Sequence, residues 1–134
     1  LEFRKDCGFR LDELLMLQKK GRITNQNLVE CLPVIDQVVL LSMLELSNQG
    51  YLAVPMSRII EAANRILGKL GEDIDLDTVS PSCHRLLNLG FFSLDKHGRM
   101  YRLRSRAEPE RLLSRLKNYF SQRAAVPKDF RKQI

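Results

Sequence analysis

Tryptophan is absent from this chain, and the residues that build metal centres and disulfide frameworks are scarce. The three cysteines, Cys7, Cys31 and Cys83, form no C-x-x-C pair, and the two histidines at 84 and 97 complete no zinc-ligand spacing with them. Cys83 and His84 are neighbours, but adjacent helical residues point about 100° apart, which disfavours a joint metal or nucleophile role. We therefore expect reduced thiols, no metal, no cofactor and an intracellular location.

Long apolar runs and catalytic motifs are also missing. No run approaches the roughly 20 apolar residues that span a bilayer, and the chain does not open with a secretory signal. We find no G-x-x-x-x-G-K-[ST] loop, no G-x-G-x-x-G, no G-x-S-x-G and no H-E-x-x-H. We therefore expect no membrane partner and no catalytic residues. The chain begins with Leu-Glu-Phe rather than Met, which suggests a piece of a longer protein.

Positive charge is unevenly distributed along the sequence. Residues 1–95 contain ten Lys and Arg against thirteen Asp and Glu, a net charge of −3, whereas residues 96–134 contain twelve against three, a net charge of +9. A one-sided positive field favours a polyanionic partner, most simply a phosphate backbone. A solvated, solubilising segment is the alternative. We favour the polyanion because the positive charge begins on a predicted hairpin.

Apolar periodicity predicts several helices around one helix that is apolar on nearly every side. That helix runs from Pro33 to about Leu46, and such a helix belongs in the middle of a fold. Spacings of three and four residues predict further helices near residues 11–20, 24–31, 56–70 and 109–123. The last of these has a basic side, so binding to a membrane surface is an alternative, but its apolar stripe is needed to complete the core.

The stretch after residue 79 predicts a short helix that leads directly into a two-stranded hairpin. Ser80 is a plausible N-cap, and Gly90 stands where a left-handed residue ends a helix. Apolar residues then alternate with polar ones at 92–94 and again at 101–103, which is the period of a strand. Gly98 lies in the loop between them, where a positive φ is expected. Tyr51–Val54 can supply a third, short strand.

This order of helices and strands is typical of a winged helix, in which the hairpin is the wing. We predict a mostly α fold with a small antiparallel β hairpin, that is, a winged helix (winged helix-turn-helix) with extra N- and C-terminal helices. The predicted division is an N-terminal helical extension at 1–24, a winged-helix core at 25–106, a C-terminal packing helix at 107–124 and a tail at 125–134.

In a winged helix the third helix normally enters the major groove, while the wing contacts phosphates or the minor groove. The predicted DNA-binding residues are the polar side chains of these two elements: Ser82, His84, Arg85 and Asn88 on the helix, and Lys96, His97, Arg99, Arg102, Arg104 and Arg106 on and after the wing. A single Arg and a single Asn can form few specific hydrogen bonds with base edges, and the acidic loop at 72–77 repels phosphate. We therefore expect duplex DNA to be bound mainly through phosphates.

Two other interpretations of the hairpin remain open. Its charges can simply solvate an exposed loop, and many winged helices bind proteins through the same elements. The alternative function is therefore a protein-interaction winged helix within a replication, repair or transcription complex.

The segment from Asn25 to Leu116 resembles the C-terminal winged-helix domain of the origin-recognition and licensing family of replication initiators. The similar features are the proline-opened apolar helix after Leu32, the helix ending GKLG at 68–71, and the segment RLLNLGFFSLDKHGRMYRL at 85–103 that leads into the wing. The resemblance implies a nuclear domain that binds origin DNA beside an ATPase module of the AAA+ class, which lies outside this chain. It also implies that the wing residues Lys96, His97 and Arg99 and the helix residues Ser82 and Arg85 face DNA. Subunit contact within a loading complex is the other role that it implies.

Overall fold

A computed structural model describes residues 11–22, 25–73, 75–104 and 108–124 of the 134-residue chain. Within these residues there are six helices and one two-stranded antiparallel sheet. The elements in chain order are α1 (Leu11–Lys19), α2 (Asn25–Cys31), α3 (Val34–Asn48), α4 (Met56–Lys69), α5 (Ser80–Asn88), β1 (Phe92–Leu94), β2 (Tyr101–Leu103) and α6 (Pro109–Ala124). The predicted fold class, mostly α with a small antiparallel hairpin, is confirmed.

Helix α3 is the centre of the fold. It packs against α4, α5 and α6 and touches β2, and every side chain from Asp36 to Leu44 is buried. A helix surrounded on all sides must satisfy its polar groups internally, and the Ser42 hydroxyl does so by donating to the Val38 carbonyl at 2.8 Å. The burial of Asp36 and Gln37 in its first turn is the feature that the apolar pattern did not indicate.

The flanking helices are amphipathic, as their spacing predicts. Helix α4 buries Ile59, Ala63 and Ile66, and α6 buries Leu112, Leu116 and Phe120. Helix α1 buries Leu14, and the Gln18 side-chain amide donates to the Leu89 carbonyl. This last bond ties α1 to the end of α5.

The N-cap prediction for α5 is wrong. Ser80 is already the first helical residue, and Val79 occupies the cap position without a side-chain cap bond. Thr78 supplies the acceptor instead, since its hydroxyl oxygen accepts the Ser80 N–H at 3.1 Å. At the other end, Gly90 has a φ of +84°, as predicted for a left-handed C-terminal residue. The chain therefore turns from α5 into the hairpin at this glycine.

The hairpin has the predicted pairing. Phe92 lies opposite Leu103, Ser93 opposite Arg102, and Leu94 opposite Tyr101. Gly98 in the connecting loop has a φ of +66°. The predicted third strand at 51–54 is reduced to a bridge between Val54 and Tyr101, whose two N–H···O bonds measure 2.9 and 2.7 Å.

The prediction that the thiols are all reduced is wrong. Cys31 at the end of α2 is disulfide-bonded, whereas Cys83 in α5 is a free, buried thiol. Cys7 lies outside the described residues.

Candidate nucleic-acid interface

The hairpin tip presents three of the predicted side chains to solvent. Lys96, His97 and Arg99 are all exposed. The turn is closed at its base by the Asp95 N–H, which donates to the Met100 carbonyl at 3.0 Å, and by the Gly98 N–H, which donates to the Asp95 carbonyl at 3.1 Å. The turn requires a positive φ at position 98, which glycine adopts without the strain that a residue with a side chain would have there.

Asp95 organises the tip through backbone bonds. Its carboxylate oxygen Oδ1 accepts the Arg99 N–H at 2.9 Å and the Met100 N–H at 3.2 Å. The Arg99 N–H bond is the main reason that the pKa of Asp95 lies below its ordinary value, and the charge of His97 adds to the effect. The carboxylate therefore bonds to main-chain groups, and the basic side chains beside it project into solvent.

The second strand adds two arginines on one face. Arg102 and Arg104 are exposed, while Tyr101 and Leu103, which alternate with them, are half-buried. The Arg104 N–H donates to the Phe91 carbonyl at 2.8 Å, so the ladder continues past the strand end and holds both arginines in the same register. Arg106 lies outside the described residues.

We define the basic hairpin surface as Lys96, His97, Arg99, Arg102 and Arg104. None of these five side chains forms an ion pair within the part of the chain that the structure describes. Asp95, the carboxylate beside the tip, accepts backbone N–H groups and forms no ion pair with these side chains. A phosphate backbone can accept from such exposed cations without first displacing an internal partner.

Helix α5 presents fewer of the predicted residues. His84 and Asn88 are exposed and one helical turn apart, so they share a face. Ser82 is only 2% exposed, and the expectation that it faces DNA is wrong. It lies on the side of α5 that packs into the core beside Cys83.

Arg85 is committed to an internal ion pair. Its Nε donates to Asp36 Oδ2 and its Nη2 donates to Asp36 Oδ1, both at 2.7 Å. The Asp36 side chain is 0% exposed and that of Arg85 is 18% exposed. The hydrogen bonds that Arg85 donates to Asp36 raise the pKa of Arg85, and this two-point contact joins α3 to α5. The prediction that Arg85 points toward a DNA base therefore needs correction, since its guanidinium faces the body of the fold.

The Cys83 thiol lies near this ion pair and is expected to be unreactive. Burial, and then the charge of Asp36, raises the pKa of Cys83 to about 12. Because the thiolate is the reactive form, a thiol with so high a pKa is a poor nucleophile or metal ligand at neutral pH. Within the described residues, no group of three His, Cys, Asp or Glu side chains could hold a metal ion.

The acidic loop at 72–77 is hydrogen-bonded to the middle of α4 through Leu76 and Asn64. The Asn64 Nδ2 donates to the Leu76 carbonyl at 3.2 Å, and the Leu76 N–H donates to Asn64 Oδ1 at 2.8 Å. The exposed carboxylates Asp75 and Asp77 flank this point and lie just before α5 in the chain. Sequence reasoning missed Asn64, because a single polar residue on a helix gives no signal of a partner twelve residues away.

Comparison with family models, curated proteins and solved structures finds no match to the chain. No helix in the described ranges has both the length and the apolar character needed to cross a membrane.

Proposed function

We propose that this chain is a winged-helix module that binds duplex DNA without catalysing a reaction, with the hairpin acting as the wing. The element order supports this proposal. Three helices, α3, α4 and α5, lead into the hairpin, and the Val54 bridge stands where the first strand of a winged helix is expected. Helices α1 and α6 are then additions to the core at 25–106.

The observation that carries the proposal is the basic hairpin surface. It places five cationic or titratable side chains on a short, hydrogen-bonded hairpin, and none of them forms an ion pair with a described residue. Surface cations in such an arrangement neutralise phosphates and release counterions, which is the main source of sequence-independent DNA affinity.

Base readout is a minor part of the proposal. With Ser82 buried and Arg85 paired, His84 and Asn88 are the predicted helix residues that remain exposed. Two side chains provide little discrimination between base pairs in the major groove. We therefore propose that the module binds duplexes of different sequence with similar affinity.

A mobility-shift titration over a salt series tests the proposal. If about four cations neutralise phosphates, affinity should fall roughly a hundredfold between 50 and 200 mM salt. Charge reversal with Lys96→Glu and Arg99→Glu should weaken binding by more than about tenfold, since two phosphate contacts become repulsive. The matched control is Arg65→Glu with Lys69→Glu, which makes the same charge change on the exposed face of α4. Salt-independent binding, or equal losses in the two double variants, would contradict the proposal.

A second candidate function is protein interaction within a replication, repair or transcription complex. It is favoured by exposed apolar side chains around the hairpin, since Leu52 is 86% and Leu94 is 41% exposed. The internal pairing of Arg85 also suits a module that does not read bases. If the Lys96→Glu, Arg99→Glu variant still binds DNA but no longer retains a protein partner in a pull-down, this function replaces the first.

From the resemblance of residues 25–116, we also propose that the module serves a replication initiator in the nucleus, beside an ATPase module. The sequence that precedes Leu1 in the gene tests this directly. A phosphate-binding G-x-x-x-x-G-K-[ST] loop upstream would support it, and an upstream region without one would contradict it.

A further inference from the structure

A polar cleft lies between the end of α2 and the outer side of α6. It has a volume of about 380 Å³, near the lower end of the roughly 300–1,000 Å³ that is usual for small-molecule sites. Its walls are Glu30 of α2 and five residues of α6, namely Arg111, Arg115, Asn118, Tyr119 and Gln122. The basic hairpin surface shares no residue with this cleft.

The cleft follows from the two-sided character of α6. Its apolar stripe, Leu112, Leu116 and Phe120, is buried in the core. Arg111, Arg115, Asn118 and Gln122 recur at spacings of three and four and form the adjacent polar stripe. Because α2 ends beside this stripe, the polar side chains line a cleft instead of a plain exposed surface.

Arg115 is positioned by the end of α2. Its Nη2 donates to the Glu30 carbonyl at 3.0 Å, one of the last carbonyls of α2, which lack partners within their own helix. Its Nε is buried and has no hydrogen-bond acceptor among the described residues. The guanidinium is therefore held in place while retaining an N–H that an oxyanion can satisfy by a small shift of the side chain.

Arg111 adds a second, looser cation. Its Nη2 lies 3.4 Å from Glu30 Oε1, which is longer than the roughly 2.7–2.9 Å of a tight charge-assisted bond. The Arg111 side chain is 58% exposed, so it can turn toward a ligand at little cost. Among the described residues that line the cleft, Arg111 and Arg115 carry positive charge and Glu30 carries negative charge.

We propose that this cleft binds a small organic oxyanion, a phosphate or carboxylate group, between Arg115 and Arg111. Both groups match the planar fork of a guanidinium and accept two parallel N–H bonds from it. The side-chain amides of Asn118 and Gln122 supply further donors along the same wall. Glu30 competes with the ligand for Arg111.

Amide chemical-shift titration of the whole chain tests this site, with inorganic phosphate and succinate as separate probes. We expect saturable shifts for the amides of Glu30 and of residues 111–118 with at least one probe, and the tighter probe distinguishes phosphate from carboxylate. Arg111→Gln should weaken that binding about tenfold, because one charge-assisted contact is lost. Lys117→Gln is the matched control, since Lys117 is exposed on the same helix and outside the cleft. It should change the affinity less than about twofold.

Glu30→Gln provides a test of opposite sign. It keeps the backbone carbonyl that holds Arg115 and removes the competing charge, so the affinity for both probes should rise severalfold. Shifts that do not saturate, shifts centred on the hairpin, or equal losses in Arg111→Gln and Lys117→Gln would each overturn the proposal. If Glu30→Gln unfolds the chain, the Arg111→Gln variant still tests the site, because the Arg111 side chain is mostly exposed and its substitution should not affect folding. Charge reversal at Lys96 and Arg99 should leave these titrations unchanged, so this site and the DNA-binding proposal can fail separately.

Discussion

Arg102 and Arg104 of the hairpin are exposed, whereas Arg85 of α5 is held at two points by a buried carboxylate. All three were predicted from the sequence as DNA contacts, and in a count of charges they are equal. The structure separates them by what lies opposite each one. Arg102 and Arg104 form no ion pair with a described carboxylate, whereas Arg85 is held by Asp36, so net charge alone overstates what α5 can offer a ligand.

The two regions also use their acidic residues differently. Both carboxylate oxygens of Asp36 accept hydrogen bonds from an arginine side chain. In Asp95, by contrast, Oδ1 accepts hydrogen bonds from two backbone N–H groups of the tip. The first arrangement joins two helices and neutralises a cation. The second stiffens a turn and leaves its cations exposed.

The largest expected effect comes from breaking the buried pair. Asp36→Ala leaves the Arg85 charge without its partner and should lower the free energy of unfolding by about 3 kcal/mol, the low end for broken buried pairs, because Arg85 keeps some exposure. Arg102→Ala should change it by less than about 0.5 kcal/mol, as is usual for surface residues. Urea unfolding of both variants measures this difference. Equal stabilities would show that the contrast between the two regions has no energetic meaning.

A second expected effect is a response to alkaline pH in the body of the fold. The pKa of Cys83 is raised to about 12, so the stability it contributes is complete below its unfolded pKa, about 8.5, and is lost as pH rises through 12. The slope should reach about 1.4 kcal/mol per pH unit within that window. Cys83→Ala should remove this part of the pH dependence. Unfolding curves collected from pH 8 upward for both proteins, with an unchanged slope in the variant, would contradict the assignment.

The hairpin should respond at the opposite end of the pH range. The pKa of Asp95 is lowered, chiefly by the Arg99 N–H, so its contribution is present above the unfolded pKa of about 3.9 and is lost as pH falls through the lower folded value. We expect the amide signals of Arg99 and Met100 to move together in that acidic range. Asp95→Asn should abolish the shared titration, and a variant that still shows it would exclude Asp95 as the cause.

The smallest expected effect on stability comes from substituting Arg102 and Arg104. DNA binding of the same variants then tests whether these two arginines differ in role from Arg85. Arg102→Gln with Arg104→Gln should leave the unfolding free energy within about 0.5 kcal/mol. The salt dependence of DNA binding should fall by about one unit of slope for each phosphate contact removed. Arg85→Gln should show the opposite pattern, with a lower free energy of unfolding and an unchanged salt dependence of DNA binding. A salt series on all three proteins checks both halves of this expectation.

The hairpin could be predicted from the sequence because its signals are local. The alternation at 92–94 and 101–103 and the glycine at 98 lie within twelve residues, and each specifies its own piece of backbone. The same holds for the amphipathic faces of α4 and α6 and for Gly90 at the end of α5. Exposure of Lys96 and Arg99 follows from the tip geometry.

The rest could not be predicted because it depends on contacts between distant residues. Asp36 and Arg85 are 49 positions apart, and an aspartate in the first turn of a helix already has an ordinary explanation in the helix dipole. Burial of Ser82 depends on how α5 rotates against α3, which a nine-residue helix with few apolar residues does not specify.

The hairpin is fixed at its root and independent at its end. Phe91 and Phe92 are buried, and the Tyr101 N–H donates to the Val54 carbonyl at 2.7 Å. By contrast, the backbone N–H groups of the turn bond to acceptors within residues 95–100. We therefore expect hydrogen exchange to be slow at Tyr101 and fast at Arg99 and Met100. A bound polyanion would then be detected as new protection at the turn, while the strand beneath it, already protected, would change little.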